Sequence, residues 1–474
     1  MNAPTKHILI RNARCVATFD DNSAEFPNSD VLISGNRIHS IGRDLAAPEG
    51  ATIIDASGKL CLPGFVNCHH HLFQTLTRGV PLVQNAELFE WLTNLYEIWR
   101  EITPEVVHVA ALVGLGELLL TGCTTSSDHL YLFPRASDGR LIDAEIRAAR
   151  ELGIRFHPTR GCMTRGKSRG GLPPDDVVQT DEEILADAER LIAAYHDPSP
   201  DSMLRIALAP CSPFSVDEST MTELAALARR HGLRLHTHLA ETRDENAYCE
   251  EMYGMRPVDW AEKVGWLGPD VWFAHAVHIS PEEIARFAES GTGVSHCPAS
   301  NMRLGSGIAP VPAMLKAGVP VGLGVDGSAS NDTSDLWGEA RNAMLLHRVE
   351  GGAAAIDART CLRMATRGGA AVLGHELAGR IAPGSLADVI LIDLEKIGFA
   401  GAAHDPVAAI LFAGDSHIVD TNIVNGEIVV ENGRLTRALE EHIVRTANET
   451  AAEMVKTATK KTGIDFLSFP KQPS

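Results

Sequence analysis

The chain has 474 residues, 45% of them apolar and 22% charged, the balance of a globular protein with a large buried core. A formal charge of −19 with no long basic run argues against a nucleic-acid polymer as partner, because phosphate backbones are held by clustered Lys and Arg. Nine cysteines, an odd number without a Cys-x-x-Cys pair, argue against a disulfide framework and for a reduced, cytoplasmic chain.

The first residues, Met1-Asn2-Ala3-Pro4-Thr5-Lys6-His7, lack an apolar signal core and lead into a strand opened by Ile8-Leu9-Ile10. Residues 31–38 read as a hairpin turning at Gly35-Asn36, and residues 52–58 as a third strand and turn. From about Leu62 short apolar runs alternate with helical periodicity. Strands are predicted to end at His71, Asp128, Arg160, Cys211, His238, His275, Cys297 and Asp326, and helices to cover 106–120, 182–195 and 221–231. Eight strands alternating with helices argue for a (β/α)8 TIM-type barrel over an open sheet, with its chemistry at the C-terminal strand ends. After about Pro383 the β pattern returns: residues 387–393 read as a strand and 421–430 as a hairpin around Asn425-Gly426. The expected layout is a small β-sandwich domain built from 1–60 and 383–440, a metal-binding barrel over 61–382, and a C-terminal helical segment and tail over 441–474. No run approaches the roughly 20 apolar residues of a membrane helix.

Polar residues close these strands. Cys68-His69-His70-His71 closes the first, His236-Thr237-His238 the fifth, His275 the sixth and Asp326 the eighth. His69 and His71 are two apart, so on an extended chain both point into the barrel mouth. The bland alternative, surface polar residues, sits poorly with the strand context and the matching partners. His236 and His238 also share a face, and only one is needed as a ligand; a core histidine with a satisfied hydrogen bond accounts for His236 equally well. Glu241, three residues past His238, can reach a bound water without ligating, which is the position of a general acid/base. His275 reads as a fourth nitrogen ligand or as a base beside the metal. Asp326 can bind metal and accept a proton from the water, or merely cap a helix. Together these nitrogen and oxygen donors suit a divalent metal that activates water, so hydrolysis or hydrolytic deamination leads. The fourth strand, residues 205–211, has no Lys to bridge two metals, so a single metal is expected. Cys211 and Cys297 have no dedicated base and read as pocket wall.

These motifs resemble the amidohydrolase superfamily, in its mononuclear aminohydrolase branch, over almost the whole chain. The resemblance lies in Pro63-Gly64-Phe65-Val66-Asn67 ahead of His69-x-His71, in His238-x-x-Glu241, in His275, in Asp326 ahead of Ser330-Asn331-Asp332, in the segment 364–370 and in Pro383-Gly384-Ser385-Leu386-Ala387-Asp388. It implies a (β/α)8 barrel, one zinc or less often iron, and release of ammonia from a C–NH2 group. It implies His69, His71, His238 and Asp326 as metal ligands, Glu241 as proton donor to a ring nitrogen, and His275 as the group that orients or deprotonates the water. Gln74 and Arg78 become candidates for substrate contact, with His129 and Cys211 behind them. Within the superfamily, residues 118–125, Asp128-His129, Tyr131-Leu132-Phe133-Pro134, 170–174, 209–214 and 300–304 are similar to the 8-oxoguanine deaminase family, and triazine hydrolases share many of them. Those deaminases carry two adjacent histidines where this chain has His129-Leu130, and an apolar residue beside the pocket would move specificity. The implied reaction is hydrolytic deamination of a guanine-like heterocycle, 8-oxoguanine to urate. The alternatives are a hydrolase of s-triazines or guanidine compounds, cleaving C–N or C–Cl bonds, and an inactive barrel scaffold, which the intact ligand set disfavours. A homo-oligomer acting on a small heterocycle, with no membrane partner, is the expected form.

Overall fold

The computed structural model describes residues 5–137, 139–414 and 416–469. The first four residues and the end of the expected tail, 470–474, lie outside them. Eight strands close into a parallel barrel: β1 (Phe65–Asn67), β2 (Cys123–Leu130), β3 (Arg155–Cys162), β4 (Ala207–Pro210), β5 (Leu235–Leu239), β6 (Val271–His275), β7 (Gly293–His296) and β8 (Val321–Leu323). Every residue of these strands is buried, which is why they read as continuous apolar runs rather than as alternation. β5 and β6 pair residue for residue, placing His238 beside Ala274 and Leu239 beside His275.

The predicted helices fall inside observed ones: Pro104–Leu120, Asp181–Tyr195 and Glu218–His231. Their ends are set by local chemistry. Thr103 caps the first, a Thr180/Glu183 capping box opens the second, and Gly232 at φ +67° ends the third. The first and eighth strands depart from expectation: the first stops at Asn67, short of His71. The eighth stops at Leu323, and Asp326–Gly327 forms a separate short parallel ladder with His70–His71, Asp326 opposite His70. The physical reason is Asp326 itself, whose φ of +62° cannot continue a strand.

Both chain ends join in one nine-stranded mixed sheet, the small extra domain. Lys59–Pro63, which leads into the barrel, pairs antiparallel with Val389–Asp393, which follows it, with Leu62 opposite Ile390. Asn425 and Gly426 turn their hairpin with φ of +53° and +78°, the pair of left-handed residues a tight two-residue turn requires. One core of this sheet gathers Ile8, Ile10, Val31, Ile33, Val389 and Leu391. A buried ion pair ties it to the barrel: Arg155 on β3 reaches Asp388 through Nε at 3.1 Å and Nη2 at 3.2 Å. The helix Glu440–Thr462 packs on Pro104–Leu120 and Leu88–Trp99. Among the described residues no helix is long and apolar enough to cross a membrane.

Candidate active site

The extended run that follows β1 delivers the first pair of histidines. The rings of His69 and His71 lie 4.6 Å apart, while His70 between them turns away to Ser334 (Nε2 to Oγ, 2.9 Å). Barrel closure brings the rest. His71 Nε2 lies 3.0 Å from His238 Nε2, and the Nε2 atoms of His69 and His71 lie 3.2 and 3.3 Å from Asp326 Oδ1. His275 Nε2 stands 3.9 Å from Asp326 Oδ2 and 3.6 Å from Glu241 Oε2. Donor atoms of His69, His238, His275 and Asp326 all fall within 4.8 Å of one another, as do those of His69, His71, His129 and His238.

The far nitrogen of each ring is already engaged. His71 Nδ1 donates to the His129 carbonyl at 2.7 Å and His238 Nδ1 to the Cys211 carbonyl at 2.6 Å. His275 Nδ1 donates to Asn301 Oδ1 at 3.0 Å. His69 Nδ1 donates to His236 Nε2 at 2.8 Å, and His236 Nδ1 in turn donates to the Trp272 carbonyl at 3.0 Å. These bonds put the proton on Nδ1 and leave the Nε2 lone pairs facing one centre. His236 is thus a satisfied core histidine that also orients His69. Burial, then the neighbouring His71 and His275, holds His238 down to about 3, so its ring is neutral, as a ligand must be. His69 Nε2 is buried, with no hydrogen-bond partner among the described residues. Converging buried lone pairs beside a carboxylate are costly without a cation among them, and imidazole plus carboxylate is the donor set of divalent first-row metals.

Asp326 caps no helix. Its Oδ2 accepts Ser300 Oγ at 2.5 Å and Ser330 Oγ at 3.2 Å, and its Oδ1 accepts only the adjacent Gly327 N–H at 2.7 Å. Burial alone would raise its carboxyl, but the imidazoles of His69, His71 and His275 beside it outweigh burial and hold it well below the usual range. Ala240, His275, Ala276 and Asp326 all have positive φ, so the strand ends carrying this chemistry are bent into conformations that only firm surroundings maintain.

A small cavity opens on this centre. His71, His238, His275, Glu241 and Asp326 form its polar end; Leu88, Trp91, Leu92, Phe214 and Leu304 form its apolar wall. Burial, then the charge of Asp326, pushes the Glu241 carboxyl up to about 8, so it can hold a proton at neutral pH. Of the four expected substrate contacts, Gln74 and Cys211 line the cavity. Gln74 Oε1 has no hydrogen-bond partner among the described residues, and its amide packs so closely on Gly327 that a Cβ there would lie 1.9 Å away. Arg78 and His129 are not on the cavity wall. Arg78 pairs with Glu117 and lies 3.2 Å from the hydroxyls of Ser328 and Ser334. His129 stacks behind His238 at 4.8 Å and donates Nε2–H to the Ala209 carbonyl at 2.7 Å. Leu130 is buried and also off the wall, so its replacement of a histidine puts no apolar group into the cavity. Cys297 is off the wall as well, its thiol 3.7 Å from the Ser295 carbonyl. Sequence reasoning missed the apolar wall from the helix Leu88–Trp99, and it missed Glu245, whose carboxylate binds the backbone at Ala240 and Glu241. The one available signal for Glu245 was the spacing Thr242-x-x-Glu245 at a helix start.

Imidazoles and carboxylates gathered at the C-terminal strand ends of a barrel, beneath a small apolar cavity, define a metal-dependent hydrolase. The chain matches the amidohydrolase family model over residues 60–429 and belongs to that family. It is 47% identical over 425 residues to 8-oxoguanine deaminase from Pseudomonas aeruginosa, covering 90% of this chain and 94% of that one. It is 38% identical over 436 residues to hydroxydechloroatrazine ethylaminohydrolase from Pseudomonas sp. (strain ADP), covering 88% and 90%. Among solved structures, zinc-complexed atrazine chlorohydrolase from Arthrobacter aurescens TC1 superposes with a TM-score of 0.90 at 38% identity, over 94% of this chain and 100% of that one. The chain is a metal-dependent aminohydrolase, which sets the inactive-scaffold alternative aside.

Proposed function

We propose that this enzyme hydrolyses 8-oxoguanine to urate and ammonia, using one zinc per chain held by His69, His71, His238 and Asp326. The observation that carries the reading is Glu241. A carboxyl protonated near neutral pH sits at the polar end of the cavity, 3.6 Å from His275, in a chain 47% identical to a deaminase of that base. When bound, the cation supplies the Lewis acidity that makes water a nucleophile near pH 7. Glu241 delivers its proton to the ring nitrogen beside the carbon under attack. Of the water's two protons, one restores the proton that Glu241 gives up, and Asp326 takes the other and passes it toward the departing amine, while His275, fixed by Asn301, orients the water. The products balance as urate and ammonia. Gln74, with an unspent acceptor oxygen, and Cys211 contact the ring; Arg78 and His129 support the residues in front of them.

The triazine reading keeps the same machinery and is favoured by the apolar wall, which would also accept an alkylamino substituent. The deciding measurement is kcat/KM for 8-oxoguanine, isocytosine, hydroxyatrazine and an alkyl-substituted guanidine under one set of conditions, with elemental analysis of the active protein. The purine is expected to rank first, with one zinc per chain. A purine ranked last would overturn the substrate, and iron or two metals per chain would overturn the metal assignment.

A further inference from the structure

The chain leaves β5 at Leu239 and enters the helix Arg243–Tyr253 almost at once, and the catalytic carboxyl sits on the short turn between them. We propose that Glu245 is a positioning residue for Glu241, fixing the backbone of that turn so that the Glu241 side chain points into the cavity. The inference rests on Glu241 being the acid. Glu245 is fully buried, and both of its oxygens are spent on the turn: Oε1 accepts the Ala240 N–H at 2.7 Å and Oε2 the Glu241 N–H at 3.1 Å.

Ala240 holds φ at +53°, a conformation a non-glycine residue keeps only under constraint. The other side of the turn is closed by the Ala240 carbonyl, which accepts Val277 N–H at 3.0 Å and His278 N–H at 2.9 Å. Glu245 itself occupies the third helical position, and its N–H donates to the capping Thr242 Oγ1 at 3.3 Å. In an ordinary capping box the glutamate would return to the amide of the cap residue. Here it reaches past Thr242 to the two amides before it. Thr242 already caps the helix, so a buried carboxylate is not needed for that task, and the hydrogen bonds that offset its desolvation come from the amides that aim Glu241. With both oxygens engaged, Glu245 has none to offer a substrate.

The test is Glu245→Gln, which keeps the shape but has one acceptor oxygen for two amides. The expected result is a kcat lowered about tenfold or more, with KM and metal content within about twofold of wild type. Added to Glu241→Gln, the same change should lower the residual kcat by no more than about twofold, because nothing remains to be aimed. A crystal structure of the single variant should show the Glu241 carboxylate moved from its 3.6 Å separation from His275. Unchanged kcat, an equal loss in both backgrounds, or an unmoved Glu241 would each overturn the proposal. Should wild type act on none of the compounds in the panel, the substrate reading fails, and the crystal structure still decides the role of Glu245.

Discussion

In the proposed reaction Glu241 concentrates the chemistry in one side chain whose environment was invisible in the sequence. Its spacing from His238 marked it as acid or base, but only the fold supplies the burial that keeps it protonated near neutral pH. Replacing it with glutamine preserves volume and hydrogen-bonding reach and removes only the transferable proton. Glu241→Gln is expected to retain the wild-type metal content and lose about 10²–10⁴-fold in kcat. Steady-state kinetics beside elemental analysis check this, and a variant within about threefold of wild-type turnover would rule out the role. His236 teaches the same lesson from the other direction. Sequence left it balanced between ligand and core residue; the 2.8 Å contact with His69 makes it the support of another ring. Arg78, a candidate by position, is claimed by Glu117, a partner far along the chain that no local pattern reveals.

At the scale of elements, strands and helices were legible because buried parallel strands and capped helices leave strong local patterns. The break in the eighth strand was not, because it depends on Asp326 taking a left-handed backbone to meet His70. The apolar wall was missed because Leu88, Trp91 and Leu92 of the helix Leu88–Trp99 reach the cavity only through tertiary packing, which no local pattern reveals. The helix Leu336–Gly351 carries a further buried acid, Glu339, which ties two catalytic loops together. It accepts the Ala299 N–H at 3.0 Å after β7 and Asn331 Nδ2 at 3.2 Å after β8. Burial pushes its carboxyl up to about 8 from an ordinary value of 4.5. The folded state therefore binds this proton more tightly than the unfolded state, and the stability it contributes is lost as pH rises from about 4.5 to about 8. Glu339→Gln cannot ionise, so its Tm relative to wild type should climb across that window. Scanning calorimetry of both proteins between pH 5 and 8 provides the check; a constant or falling difference would refute the assignment.

The whole molecule is held together by the sheet that joins both chain ends, a layout readable from the return of β pattern after Pro383. The ion pair that fastens it to the barrel was not readable, since Arg155 and Asp388 meet only when β3 comes to rest against the sheet. Both side chains are buried, and Asp388 Oδ1 also accepts the Asn425 N–H at 2.7 Å. Asp388→Ala would leave the guanidinium buried without its counter-charge, a change expected to cost about 3–5 kcal/mol. Urea titration is the measurement, and a loss below about 1 kcal/mol would show the pair to be dispensable. The same sheet has a consequence for how the protein is made. Lys59–Pro63 is synthesised early, yet its neighbour Val389–Asp393 leaves the ribosome only after the entire barrel. Through that interval Leu60, Cys61 and Leu62, all completely buried at the end, present an apolar strand with an open edge. Contacts this distant in sequence form slowly, so the nascent chain is an aggregation hazard and a natural client for a chaperone until its last strands arrive.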